Sequence, residues 1–163
     1  MRITVDDLCL EYLDNFRYLD KLKEKELGFQ ITAFTISNFK ENENLLESTV
    51  FKKWLEKRKD WVEIAVHSYD HQSPPDSDRE DEAFWIKKAL DGLKPFLPEK
   101  YGYRSPGWQT TNQTVSILKK LGFAYIAYET KIKDLKKDII IETKVINSHL
   151  YDVRSLERIG EYL

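Results

Sequence analysis

Cysteine is almost missing from this chain. Cys9 stands alone among 163 residues, so no internal disulfide can staple the fold. A single thiol of this kind reads as a buried packing residue, and a reducing cytoplasm is the expected compartment. Long hydrophobic runs are missing too, which excludes a membrane-spanning helix. The chain enters its first apolar segment with no basic region or cleavage site, so no secretory leader is expected. Neither sign of charge dominates: 26 Lys and Arg face 28 Asp and Glu, a formal net charge of −2. The charge-dense stretches 21–26 and 52–60 alternate in sign, as solvated helix faces do, and leave no basic footprint for nucleic acid. What is present is 41% hydrophobic and 33% charged, the balance of a soluble globular chain, expected to form one domain over residues 1–163.

Apolar segments alternate with amphipathic ones. Strands are expected over residues 2–5, 30–36, 62–66 and 101–104, and later over 123–127, 139–142 and 144–146. Helices are expected over 12–27, closed by Gly28, and over 49–59, capped by Ser48. Further helices are expected over 80–93, over 113–121 with Asn112 as cap and Gly122 as stop, and over 155–162. A polar loop carrying Pro74-Pro75 precedes the 80–93 helix. This order implies βαβ units and a mainly parallel α/β sheet. A full eight-fold barrel takes about 250 residues, so the chain must form an incomplete barrel or an open sheet. In either case ligands collect at the carboxyl ends of the strands.

Histidine is scarce as well, and its three positions are telling. His67 and His71 flank Ser68-Tyr69-Asp70 just after the apolar run 62–66, and His149 follows Val145-Ile146. Asp6-Asp7 closes the first apolar run in the same manner, and Arg104 ends the fourth strand. All of these would meet at one rim without being neighbours in sequence. A four-residue spacing on a helix or tight turn brings two imidazoles within reach of one ion. Two imidazoles and one carboxylate leave positions open for water and substrate, as in catalytic zinc sites. Consecutive side chains diverge in a continuing strand, so Asp6 and Asp7 are expected to do different jobs, one as ligand and one as base. His149 is then the remaining histidine available as an acid.

Thr4-Val5-Asp6-Asp7, His67-Ser68-x-x-His71, Arg104-Ser105-Pro106 and Ile146-x-x-His149 resemble, in this order, the motifs of polysaccharide deacetylases, the NodB-homology carbohydrate esterases. The resemblance covers nearly the whole chain. It implies a distorted, incomplete (β/α) barrel, a divalent metal, usually zinc, and removal of acetyl from an N-acetylated amino sugar. It further implies Asp7, His67 and His71 as metal ligands, and Asp6 as the base that activates water. Arg104 would hold Asp6, a backbone N–H near Gly107 would stabilise the oxyanion, and His149 would protonate the departing amine. Trp108 would line the substrate groove.

The chain also departs from the pattern. Leu8 stands where the family has Gly, Gly107 separates Pro106 from the aromatic Trp108, and no Asp/Trp motif occurs between Arg104 and His149. Glu129 is the expected substitute for that motif's carboxylate as a tuner of the acid. Trp54, Trp61 and Trp85 read as packing residues. Two alternatives keep the same site: an amidase or esterase acting on a non-carbohydrate small molecule, and a glycan-binding pseudoenzyme.

Overall fold

The computed structural model describes residues 2–26, 28–72 and 78–163; the Pro74-Pro75 loop lies outside the described residues. In chain order the strands are β1 (Arg2–Leu8), β2 (Ile31–Ile36), β3 (Asn38–Phe39), β4 (Glu43–Asn44), β5 (Val62–Ser68), β6 (Gly102–Tyr103), β7 (Tyr125–Ala127), β8 (Ile132–Asp134), β9 (Ile139–Glu142) and β10 (Val145–His149). The α-helices are α1 (Arg17–Lys25), α2 (Thr49–Glu56), α3 (Glu82–Leu93), α4 (Asn112–Lys120) and α5 (Val153–Arg158). Eight strands form a single sheet in the order β10-β1-β2-β5-β6-β7-β8-β9. Pairing is parallel from β10 through β7 and antiparallel from β7 to β9. The sheet curls into a nearly closed, distorted barrel flanked by helices, the incomplete barrel expected from the strand and helix order.

Alternation along the strands divides the apolar residues. Ile3, Val5, Ile31, Ala33, Val62, Ile64 and Val66 pack outward with Phe16, Leu19, Phe51 and Leu90 of the covering layer. Phe34, Ala65, Tyr125, Ala127 and Ile132 form a second buried cluster on the opposite face, inside the barrel. Trp54 and Trp61 are buried in the outer layer, as expected of packing residues. Gly102 lies where a Cβ would fall 1.9 Å from the Tyr125 ring, so the missing side chain makes room for that ring on the neighbouring strand.

Several expectations shift locally. The 12–27 segment starts as a 3-10 turn, Leu13–Phe16, and α1 stops at Lys25 with Glu26 extended, so Gly28 does not cap it. Ser48 caps α2 by accepting the Phe51 N–H. Thr111, not Asn112, caps α4, because Thr111 and Thr114 form a reciprocal capping box. Gly122 does end that helix, with φ at 81°. β8 was not anticipated, since three residues with two charges give too short a pattern to read. His67 and His149 fall inside β5 and β10 instead of after them. Among the described residues no helix is long and apolar enough to cross a membrane.

Candidate active site

The two strands carrying candidate ligands are both irregular at those ligands. Between β1 and β2 the register slips from Val5↔Ala33 to Leu8↔Thr35, which leaves Asp6 and Asp7 opposite one residue. Between β2 and β5 it slips from Thr35↔Val66 to Ile36↔Ser68, and His67 is the extra residue. A bulge re-aims side chains that a regular strand would send to opposite faces. Asp7 adds a left-handed backbone, φ 65°, so both consecutive aspartates reach the same rim. His71 is also left-handed, φ 53°, in a turn where its N–H donates to Ser68 Oγ at 2.6 Å. The serine between the histidines thus holds the turn that returns His71 toward His67.

Asp7, His67 and His71 each offer a ligand atom, all within 4.8 Å of one another. Asp7 Oδ1 lies 3.5 Å from His67 Nε2 and 3.2 Å from His71 Nε2. A tetrahedral ion with bonds of about 2.0–2.2 Å spreads its ligand atoms roughly 3.3–3.6 Å apart, so the two separations from Asp7 suit such an ion. His67 Nδ1 donates to the Arg104 carbonyl at 2.9 Å, which fixes the tautomer and leaves the Nε2 lone pair facing Asp7. Burial alone would depress the proton affinity of His67, yet the carboxylates of Asp7 and Asp6 raise its pKa. Burial lowers that of His71 and favours its neutral, ligating form. Burial would raise the Asp7 pKa, but bonds from His149 and His67 hold that carboxyl well below the usual carboxylate range. The surroundings therefore favour added positive charge, as a dication site requires.

Asp6 sits beside this group in a buried network. Arg104, fully buried, donates through Nη1 to Asp6 Oδ1 at 2.7 Å, Asn147 Oδ1 at 2.7 Å and Thr4 Oγ1 at 3.0 Å. Its Nη2 donates to the Tyr128 carbonyl at 3.1 Å, and the guanidinium lies 4.3 Å over the Phe34 ring. Asn147 Nδ2 donates to the second Asp6 oxygen at 3.0 Å. Asn147 cannot flip, because its oxygen already accepts from Arg104 and from Thr4 Oγ1 at 2.8 Å. Asn147 escaped the sequence reading. The available signal was a polar residue two positions before His149 on the same strand, hence on the same face.

His149 pairs with Asp6 in the β1–β10 register. Its Nδ1 donates to Asp7 Oδ2 at 3.0 Å, with Asp6 Oδ2 at 3.9 Å. The bond to Asp7 is the main cause that raises the His149 pKa, against the opposing effect of burial. Asp7 therefore faces the two other histidines with one oxygen and His149 with the other. Glu129 does not take the position expected of it: it is exposed, and the carboxylate on His149 is Asp7. The physical reason is the bulge, which carries Asp7 across to the β10 side.

The Pro106–Trp108 turn completes the rim, with Gly107 and Trp108 both left-handed at φ 59° and 56°. Trp108 is 37% exposed, with its ring edge-on to His149 at 5.6 Å, so it belongs to the groove and not to the core. Tyr151, 57% exposed, lies on another side of His149 at 5.1 Å. A cavity of about 830 Å³ opens elsewhere, at the amino ends of the strands beside Arg2, Phe29, Trp61 and Glu63, and none of these groups line it.

The polysaccharide deacetylase family model matches residues 2–126, and the chain belongs to that family. Solved structures share the fold at low identity. The CE4 domain of a multidomain xylanase from the hindgut metagenome of Trinervitermes trinervoides has a TM-score of 0.60 at 15% identity, covering 99% of this chain and 80% of that one. A CE4 family pseudoenzyme from Bacillus anthracis has a TM-score of 0.57 at 12% identity, covering 99% of this chain and 59% of its own. A family 4 acetyl xylan esterase from Clostridium thermocellum, in complex with a cobalt ion, has a TM-score of 0.52 at 16% identity, covering 71% and 53%. The chain thus spans between about half and four-fifths of the length of these structures. No curated protein matches the sequence.

Proposed function

We propose that this chain is a divalent-metal-dependent hydrolase that removes the acetyl group from an N-acetylated amino sugar or a related glycan precursor. The observation that carries this reading is the grouping of Asp7, His67 and His71 within 4.8 Å, directly beside the Arg104-held carboxylate of Asp6. Asp7 Oδ1 and the Nε2 atoms of His67 and His71 would hold the cation, zinc being the best match to that donor set. When bound, it would polarise the acetyl carbonyl and acidify water.

The chain's own groups supply the rest. Asp6 accepts a proton from the attacking water, its carboxylate kept in one orientation by Arg104 and Asn147. A backbone N–H near Gly107, where the chain turns left-handed, would stabilise the developing oxyanion. Asp7 orients His149 through Nδ1, which frees Nε2 to deliver a proton to the amine as the C–N bond breaks and acetate leaves. In the metal-free chain the bond to Asp7 raises the His149 pKa, which favours the protonated form.

The test is acetate release from N-acetylglucosamine oligomers by zinc- or cobalt-loaded protein. Asp6→Asn should lower turnover by about 10²–10⁴-fold while metal content stays unchanged. Failure of the reloaded wild type to release acetate from any N-acetyl sugar would sink the proposal. A panel of acetylated non-carbohydrates separates the amidase or esterase reading. A glycan-binding role without turnover draws support from the sharing of Asp7 between His149 and the two other histidines, which gives the acid no carboxylate of its own.

A further inference from the structure

His71 occupies the left-handed region, φ 53°, a conformation that is strained for histidine and persists only where the surroundings hold it. The chain is fixed on both sides of it. Ahead of His71, Asn38 N–H donates to the Tyr69 carbonyl at 2.7 Å and Lys40 N–H to the Asp70 carbonyl at 3.2 Å. The β3 hairpin therefore secures the two preceding peptides. Beyond His71, Gln72 N–H donates to Asp70 Oδ1 at 3.2 Å. The Asp70 carboxylate thus closes a turn that has His71 at its centre.

That carboxylate is itself gripped. Arg79, nine positions further along, donates through Nη2 to the same Oδ1 at 2.7 Å. Both side chains are buried, Arg79 at 9% exposed and Asp70 at 5%. The Arg79 guanidinium lies 4.1 Å over the ring of Trp85 on α3, and the Tyr69 ring packs on the same tryptophan at 5.8 Å. Lys88, also on α3, lies 4.0 Å over Tyr69. The two side chains before His71 are thereby both tied to one helix. A buried ion pair is a poor device for stability alone, since an apolar pair of similar volume does as well or better; what it adds is direction. Here the direction runs from Trp85 through Arg79 and Asp70 to the N–H that follows His71. Ser68 shapes the turn from inside, and the Asp70–Arg79 pair sets it against the helix layer.

We infer that Asp70 and Arg79 are positioning residues that fix the turn presenting His71 and thereby tighten metal binding. The effect on metal rests on the reading of His71 as a ligand. The hold on the turn does not.

Removing both partners leaves the net charge of the turn unchanged, so the double variant Asp70→Asn with Arg79→Met tests geometry and not attraction for a cation. Zinc binding in a chelator competition should weaken at least about tenfold. Exchange of the His71 N–H, followed by NMR in metal-free protein, should accelerate at least about tenfold. Arg79→Lys, which keeps the charge, should stay within about threefold of wild type in both measurements. Arg58→Met is the control: it breaks a 2.7 Å ion pair with Asp20, away from the turn, and should leave zinc affinity and His71 exchange unchanged. Losses in the control as large as those in the double variant would make the effect one of general destabilisation and overturn the proposal. Should the double variant not fold, Trp85→Leu replaces it, with both charges kept and an expected change of at least about threefold in each measurement. Unaltered His71 exchange overturns the positioning role whatever zinc does, and so does unaltered zinc affinity where the wild type binds the ion. If the wild type binds no zinc, the metal reading falls and exchange alone decides: acceleration upholds the hold on the turn.

Discussion

Replacing Arg104 by methionine tests whether this side chain is a counterion or a packing residue. Methionine keeps apolar volume over the Phe34 ring, now 4.3 Å from the guanidinium, so packing alone predicts a loss below about 1.5 kcal/mol. The electrostatic reading predicts more. The substitution removes the 2.7 Å bond to Asp6 and strands a carboxylate whose side chain is 2% exposed. Removing one partner of a buried ion pair costs about 3–5 kcal/mol. In a chain of this length each kcal/mol moves Tm by about 2–4 °C, so the melting point should fall by roughly 6–20 °C. Urea denaturation followed by the fluorescence of the four tryptophans, in chelator, measures the free energy directly. The double variant Asp6→Asn with Arg104→Met removes the stranded charge and should recover about 1.5–3 kcal/mol relative to the sum of the single variants. A loss under about 1.5 kcal/mol for Arg104→Met, or additivity within about 0.5 kcal/mol, would refute the counterion argument.

Two further outcomes follow from the ligand geometry. Ser68→Ala removes the 2.6 Å acceptor of the His71 N–H and should weaken zinc binding about 10–100-fold in a chelator competition, with about 1 kcal/mol lost in stability; a change under threefold would contradict the role given to Ser68. Zinc affinity should fall as pH drops, and the sign follows from the proton each ligand must release. The folded pKa of His67 is raised above 6.5, so competition starts above that pH with a slope near one decade per unit; His71, shifted below 6.5, steepens it at lower pH, and Asp7 stays ionised throughout. Isothermal titration from pH 5.5 to 8 checks this, and a flat profile would exclude His67 as a ligand.

The parallel core was legible because β1, β2 and β5 carry short apolar and β-branched runs (Ile3 and Val5, Ile31 to Ile36, Val62, Ile64 and Val66), a local signal. β8 was not, because its pairing partners on β7 and β9 stabilise three residues whose own pattern says nothing. Among site residues, His67, His71, Asp6, Asp7, Arg104 and His149 could be singled out by type and by position at strand ends. Asn147 and Tyr151 could not. An asparagine, or a tyrosine in a turn, has no distinctive chemistry until a neighbour 141 positions away, as Asp6 is from Asn147, comes within 3.0 Å.

By itself, the sequence determined which chemical groups stand at the ends of which strands, because residue type and period are local properties of the chain. It therefore specified three imidazoles and two carboxylates for one rim. Only the tertiary structure decided how they divide. The register slips at Asp6–Asp7 and His67 arise from pairing with β2, and the left-handed turn at Asp7 delivers its second oxygen to His149 across the β1–β10 pair. Glu129, closer to His149 in sequence than Asp7, remains outside in solvent. Bulges and cross-strand bonds are settled by packing among distant segments, and no short stretch of sequence contains them.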